Sequence, residues 1–168
     1  MMQRRTALAW AACGAWGASA AHAADAPEGP VVLTISGRLR AAARPSAAQF
    51  DMAMLEKLPQ TSFSTRTPWY ARPRKFTGPL LRDVLAAAGA SGATQLRAVA
   101  LNDYFVDIPA DDVQRYDVVL ARLLDDKPMP VRDKGPLFII YPFDSRAELR
   151  NALYFSRCAW QLKAIEVT

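Results

Sequence analysis

Histidine and cysteine are nearly absent from this chain of 168 residues, which carries one of the former and two of the latter. His22 and Cys13 both lie near the N-terminus, so Cys158 is the only such side chain in the body of the sequence. A domain without imidazole has no Ser-His-Asp or Cys-His machinery and no His-based zinc, copper or haem site. One thiol cannot close an internal disulfide, so stability must come from an apolar core. Gly-x-Gly-x-x-Gly and phosphate-loop patterns are also missing, which removes the usual sequence grounds for nucleotide hydrolysis. Long hydrophobic runs are equally scarce: Ala7 to Ala20 is too short, and too rich in Ala and Gly, for a permanent membrane anchor.

That apolar stretch reads instead as part of an export signal. Arg4 and Arg5 give a positive n-region, and Ala21-His22-Ala23 before Ala24 is a small-x-small cleavage site. Residues 1–23 are therefore read as a signal peptide, 24–30 as a flexible lead-in, and 31–168 as one domain working in the bacterial periplasm or an equivalent oxidising compartment. The paired arginines also match a twin-arginine signal, which would export a folded protein; the general route is the simpler reading of a dipeptide. Cleavage would leave about 145 residues and lower the formal charge from +5 to +3. Such an excess favours anionic small molecules and falls short of the dense positive stripe that nucleic acid requires, so no nucleic-acid partner is expected.

Along the chain, Val31 to Gly37 is β-rich and ends at glycine, predicting a first strand. Ser46 is placed to cap a helix running to Leu58, with Phe50, Met54 and Leu58 at helical spacing and Pro59 as its stop. Gln60 to Thr67 reads as extended, and Trp69 to Lys75 as a loop. Gly78-Pro79 opens an amphipathic helix over Leu80 to Ala88, capped by Gly89. Strands are expected over 95–101 and 104–108 around an Asn102-Asp103 turn. A short helix follows over 110–116, with Asp111-Asp112 as a helix start, then a strand over 118–124 and Asp125-Asp126 as a surface turn. Further strands are expected over 137–142 and 160–167, with a helical excursion over 145–152 between them. Many short strands with a few helices indicate an α+β domain, a mixed sheet covered on one side by helices.

The order of landmarks carries a resemblance. Phe76-Thr77-Gly78-Pro79-Leu80-Leu81, Asn102-Asp103-Tyr104, Leu123 to Pro130, Gly135-Pro136-Leu137, and Trp160 with Ile165-Glu166-Val167 together resemble the molybdopterin-binding domain of the sulfite-oxidase-like oxidoreductases. The resemblance covers roughly Val31 to Val167 and implies that fold. It implies a pterin-dithiolene cofactor held by arginines, backbone and polar groups, with one cysteine thiolate on molybdenum. The matching position falls within Ser62 to Thr67, at Thr65, where there is no cysteine, and Phe138 stands where the family has an arginine. A neutral hydroxyl does not replace a soft, anionic thiolate on a metal. Cys158, beside Ala159 and Trp160, reads as a small buried filler.

Thr65-Arg66-Thr67-Pro68-Trp69-Tyr70-Ala71-Arg72-Pro73-Arg74-Lys75 is the best candidate site. Arg66, Arg72 and Arg74 offer planar recognition of phosphate or carboxylate, and Trp69 offers a face for a flat ring. A solvated basic loop anchored by two aromatics is the plain alternative. Asp103 and Tyr104 are placed near the same mouth by the resemblance, although Asn-Asp is also ordinary turn chemistry. Lys134, with Arg132 and Gly135, is positioned to direct cations toward an anion, or simply to keep a turn soluble. The expected cofactor-binding set is thus Thr65, Arg66, Trp69, Arg72, Arg74, Asp103, Tyr104 and Lys134, with no catalytic or metal-ligating residue. The expected role is a non-catalytic module that binds an anionic small molecule, a pterin, or a membrane-bound sensor or reductase. The alternative is a molybdopterin-dependent oxidoreductase with a non-cysteine metal environment.

Overall fold

The computed structural model describes residues 26–39, 47–90 and 92–168. The signal segment, Ser46 and the start of the lead-in lie outside them. The elements run β1 (Val31–Gly37), β2 (Ala47–Asp51), α1 (Met52–Lys57), β3 (Gln60–Thr67), β4 (Tyr70–Pro79), α2 (Leu81–Ala87), β5 (Gln95–Ala100), β6 (Phe105–Pro109) and α3 (Ala110–Arg115). They continue as β7 (Val119–Ala121), β8 (Leu123–Leu124), β9 (Lys127–Pro128), β10 (Phe138–Ile140), α4 (Ala152–Ser156), β11 (Ala159–Trp160) and β12 (Leu162–Val167). This is the expected α+β class, dominated by sheet.

The strands divide among three sheets: β2-β1-β12-β5-β6, β11-β10-β7 and β3-β4-β8-β9. Among the described residues only β1 and β12 pair in parallel, which joins the first and last strands at the centre of the largest sheet. Alternation places Leu33 and Ile35, Leu96 and Ala98, and Val106 and Ile108 on the inner face of that sheet. Phe76, Phe138 and Leu162 extend the same core.

Several expectations are corrected. The helix predicted from Ser46 begins only at Met52, because Ala47 to Phe50 pair with β1 and the Asp51 carboxylate caps Met54 N–H at 2.8 Å. Its buried residue is Leu55 rather than Met54. Asp51 also accepts from the N–H groups of Glu28 and Gly29, pinning the end of the lead-in. These backbone bonds, that from Met54 first, hold its carboxyl below the usual range.

The predicted basic loop is a strand. β3 and β4 form one long hairpin in which Thr67 pairs with Tyr70, so Pro68 and Trp69 alone make the turn. Pro73 is tolerated there because the register shifts between Thr65 and Thr67, leaving it out of the ladder. The predicted strand over 118–124 is two strands, since Arg122 N–H bonds Thr77 C=O and passes the chain from one sheet to the next. Gly78 makes that crossing close: a Cβ there would collide with the Leu120 carbonyl. The helix predicted over 145–152 is replaced by two 3₁₀ turns, Phe143–Ser145 and Ala147–Leu149, and α4 starts at Ala152 under an Asn151 cap.

No helix of the described residues is long and apolar enough to cross a membrane.

Candidate functional site

Trp69, at the tip of the β3–β4 hairpin, folds inward rather than facing solvent as an open platform. Its ring lies 5.4 Å from Trp160, 5.7 Å from Phe138 and 6.3 Å from Phe155, in tilted or edge-on contact. Two cavities meet at it. One, of about 410 Å³, is lined by Ala100, Tyr104, Phe155, Cys158, Ala159 and Trp160 and is mostly apolar. The other, of about 470 Å³, is lined by Tyr70, Arg74, Lys127, Arg132, Asp133 and Lys134.

The second cavity is strongly basic. Four cations surround it against one lining carboxylate, and Lys134 Nζ also sits 4.5 Å over the Trp160 ring. Arg74 lies 5.0 Å over Tyr70 and contacts Asp125 at 2.5 Å, yet its buried Nε–H is out of line for a hydrogen bond. Burial pushes the Tyr70 phenol up, so this hydroxyl stays a neutral donor beside the cations. Such a wall can hold an anion and a flat ring together.

The eight residues expected to act together are distributed. Trp69, Arg74 and Lys134 converge on the basic cavity. Tyr104 faces the apolar one, and Asp103 is drawn off to Lys163 at 2.5 Å in a left-handed turn. Arg72 is exposed on β4, outside the described cavities. Arg66 borders a smaller hollow with Thr67, Phe143, Asp144 and Arg150. Lys127 was missed because a turn lysine carries no local mark of convergence; only the β8–β9 hairpin brings it beside Arg74.

Thr65 is buried, and its hydroxyl accepts the Asp144 N–H at 3.0 Å. Asp144 returns the contact, taking the Arg66 N–H at 2.9 Å and Arg150 at 3.0 Å. Thr65 is thus committed to stapling the Phe143–Ser145 turn onto β3. Cys158 is buried against the apolar cavity, and desolvation drives its thiol pKa upward, away from the thiolate that binds metals. No group of three His, Cys, Asp or Glu side chains among the described residues is arranged to hold a metal. The basic cavity therefore suits the organic, anionic part of a pterin cofactor, while the donors at Thr65 do not fit a thiolate-held metal.

Behind the apolar cavity lies a buried polar network that sequence reasoning overlooked. Asp112, in the first turn of α3 as expected, is 5% exposed and accepts from Arg157 at 2.6 Å and Tyr141 at 2.9 Å. Burial, then the Asp112 charge, raises the Tyr141 phenol far above its ordinary value. Tyr116, bonded to Tyr154 at 3.1 Å, is pushed up to about 12, chiefly by that hydrogen bond. These contacts clamp α4, and with it Cys158 to Trp160, against α3.

Comparison with known proteins gives the arrangement its context. No curated protein matches the chain. Among solved structures, the sulfane dehydrogenase SoxCD of Paracoccus pantotrophus is similar in fold, with a TM-score of 0.60 at 16% identity over 80% of this chain. The chain spans only 37% of that protein's length. The model of the oxidoreductase molybdopterin binding domain matches residues 33–144, from β1 through the Asp144 turn. By that match the chain belongs to the oxidoreductase molybdopterin-binding domain family.

Proposed function

We propose that the protein is an exported, periplasmic member of this family that no longer catalyses redox chemistry and uses its basic cavity to bind an anionic, ring-bearing small molecule or a pterin. The observation that carries this reading is Thr65. At the position where the family resemblance calls for a metal-bound thiolate, a buried hydroxyl is engaged with the Asp144 backbone. The other available sulfur, Cys158, is a buried neutral thiol lining a different cavity. Arg74, Lys127, Arg132 and Lys134 beside the Trp69 ring supply the recognition chemistry that remains.

Metal analysis and mass spectrometry of protein purified from molybdenum-replete cells test this directly. The expected result is substoichiometric molybdenum, with any bound organic molecule anionic. Stoichiometric molybdenum together with dye reduction by an oxidisable substrate would overturn it.

One feature favours the rival reading, a molybdopterin-dependent oxidoreductase with a non-cysteine metal environment. Arg4 and Arg5 suit export of a folded, cofactor-loaded protein. Replacing both by lysine and following export separates the two: continued export through the general route removes that support, and arrest restores it. A membrane-bound sensor or reductase as partner belongs to the same non-catalytic reading, with the domain reporting ligand occupancy.

A further inference from the structure

One of the two outer strands of the five-stranded sheet is β6, which among the described residues pairs with β5 alone. The ladder fixes which of its groups face outward. Ala100 N–H bonds Tyr104 C=O, and Ala110 N–H bonds Thr94 C=O. Hydrogen-bonded and non-bonded pairs alternate in an antiparallel ladder, so residues 104, 106, 108 and 110 turn their backbone groups to β5. Phe105 and Asp107 turn theirs away, and no hydrogen bond within the described residues reaches their N–H groups. Pro109 has no N–H to present.

Exposed apolar side chains flank this edge on both faces, and the groove beside it also carries Gln95, Ser156 and Arg157, the last already paired with Asp112. Tyr104 is 60% exposed, Phe105 50% and, across a cavity of about 430 Å³, Leu153 on α4 is 53% exposed. That cavity is lined by both Val106 and Asp107, successive residues pointing to opposite faces, so it runs along the free edge of the strand. The one charge on the edge is already neutralised: Asp107 pairs with Arg97 at 2.9 Å, and Arg97 lies 4.4 Å over the Phe105 ring. Edge strands are commonly guarded by an unpaired charge, and here that guard is spent within the sheet.

We propose that β6 is a self-association edge, at which a second copy of this chain adds its own β6 antiparallel across a two-fold axis. The register is dictated by the outward groups. Phe105 exchanges both backbone hydrogen bonds with Asp107 of the second copy, the reverse exchange follows by symmetry, and the two Val106 residues face each other at the axis. This register is self-complementary in charge as well, since each Asp107 arrives beside a Phe105 ring that already carries Arg97. Tyr104 of each copy lies across from Ile108 of the other, covering the exposed aromatics, and the missing donor at Pro109 ends the ladder there. The interface would be an isologous one, joining two five-stranded sheets into one.

Sedimentation velocity over a dilution series, with cross-linking, tests the register. The average mass of the full chain is expected to rise toward two copies with concentration. Val106→Cys sits at a non-hydrogen-bonded pair, whose ~4.5 Å Cα spacing suits a disulfide. Under mild oxidation it should link copies at least ~10-fold faster than Phe105→Cys or Asp107→Cys, all read above the unsubstituted chain with Cys13 and Cys158. Phe105→Pro removes an outward donor that β5 does not use and should abolish the dimer, whereas Phe105→Thr keeps the donor and should retain a weaker one. If Phe105→Pro does not fold, the cross-linking ratio decides. A single-copy mass at every concentration, equal cross-linking at the three positions, or an edge occupied only by a strand from another protein would each overturn the proposal.

Discussion

The two cavities that share Trp69 are built for different ends. Behind the apolar side, the buried polar groups are consumed internally: Asp112 by Arg157 and Tyr141, and Tyr116 by Tyr154 and Glu148, as Thr65 is by Asp144 beneath the neighbouring turn. On the basic side, cations are gathered with too few carboxylates to satisfy them, and the Arg74 Nε–H is left unaligned. Burying charge is costly unless it is paired, so a fold retains such a network where position must be fixed. Crowding like charges with too few partners also costs stability, and it is offset when an anion arrives. The first side is a framework, and on the proposed reading the second is where a bound anion would contribute to folding free energy.

The difference can be broken at the framework first. Asp112→Ala leaves the buried Tyr141 hydroxyl and the partly buried Arg157 guanidinium without their acceptor and should cost about 3 kcal/mol, read by urea denaturation. Tyr141→Phe removes the hydroxyl and its need together and should cost only about 1 kcal/mol. A result in which Asp112→Ala is no worse than Tyr141→Phe would mean the network is solvated and the contrast between the cavities is false.

Thr65 comes next in size. Thr65→Val keeps the shape but strips the acceptor from the Asp144 N–H, and the expected loss is about 1–2 kcal/mol, with Thr65→Ser nearly neutral. If Thr65→Val leaves the denaturation midpoint unchanged, the staple is not what holds the Phe143–Ser145 turn, and the position is free for other chemistry.

Cys158 supplies a pH-dependent check on the same side. Its folded pKa is raised by burial, so the folded state disfavours the thiolate. An unfolded thiol ionises near ~8.5, and the stability contributed by the buried neutral form is therefore complete below about that pH and falls as pH rises above it. Alkylation should be slow from neutral to mildly alkaline pH and accelerate with denaturant, as followed by mass spectrometry. Rapid labelling of the native chain near neutrality would mark an exposed, reactive thiol and turn the apolar cavity into a functional one.

How much of this was legible in the sequence depended on range. Strands with strict alternation, such as 31–37 and 104–108, and the helix between Gly78-Pro79 and Gly89, were set by local pattern and appear within a residue or two of expectation. In the basic-aromatic segment 65–75 the extended reading through Thr67 holds, whereas Trp69 to Lys75 reads as a loop and is mostly strand; the register shift that shelters Pro73 has no sequence signature. Trp69, Arg74 and Lys134 were foreseen as ligand-facing and do converge, whereas Asp103 was captured by Lys163, a residue 60 positions away. Asp112 does sit at a helix start, but its burial was not legible for the same reason: its partner Arg157 is 45 positions distant, and an Asp-Asp pair there gives no hint that one member is buried.

The smallest effect on stability should come from the basic cavity, and it separates the two sides most sharply. Lys134→Ala touches a half-buried cation and Arg132→Ala an exposed one paired only with its neighbour Asp133, so each should change stability by less than about 0.5 kcal/mol. Both should nevertheless weaken binding of inorganic pyrophosphate, used as a probe and read by Trp69 fluorescence, by about tenfold each, roughly what one charge-assisted hydrogen bond contributes. Pyrophosphate should raise the melting temperature of the unsubstituted chain and do so less for either variant, because a ligand that binds only the folded state stabilises it by mass action. Were the variants to lose stability without losing pyrophosphate, the cations would be structural after all, and the cavity beside Trp69 would be a second framework rather than a binding site.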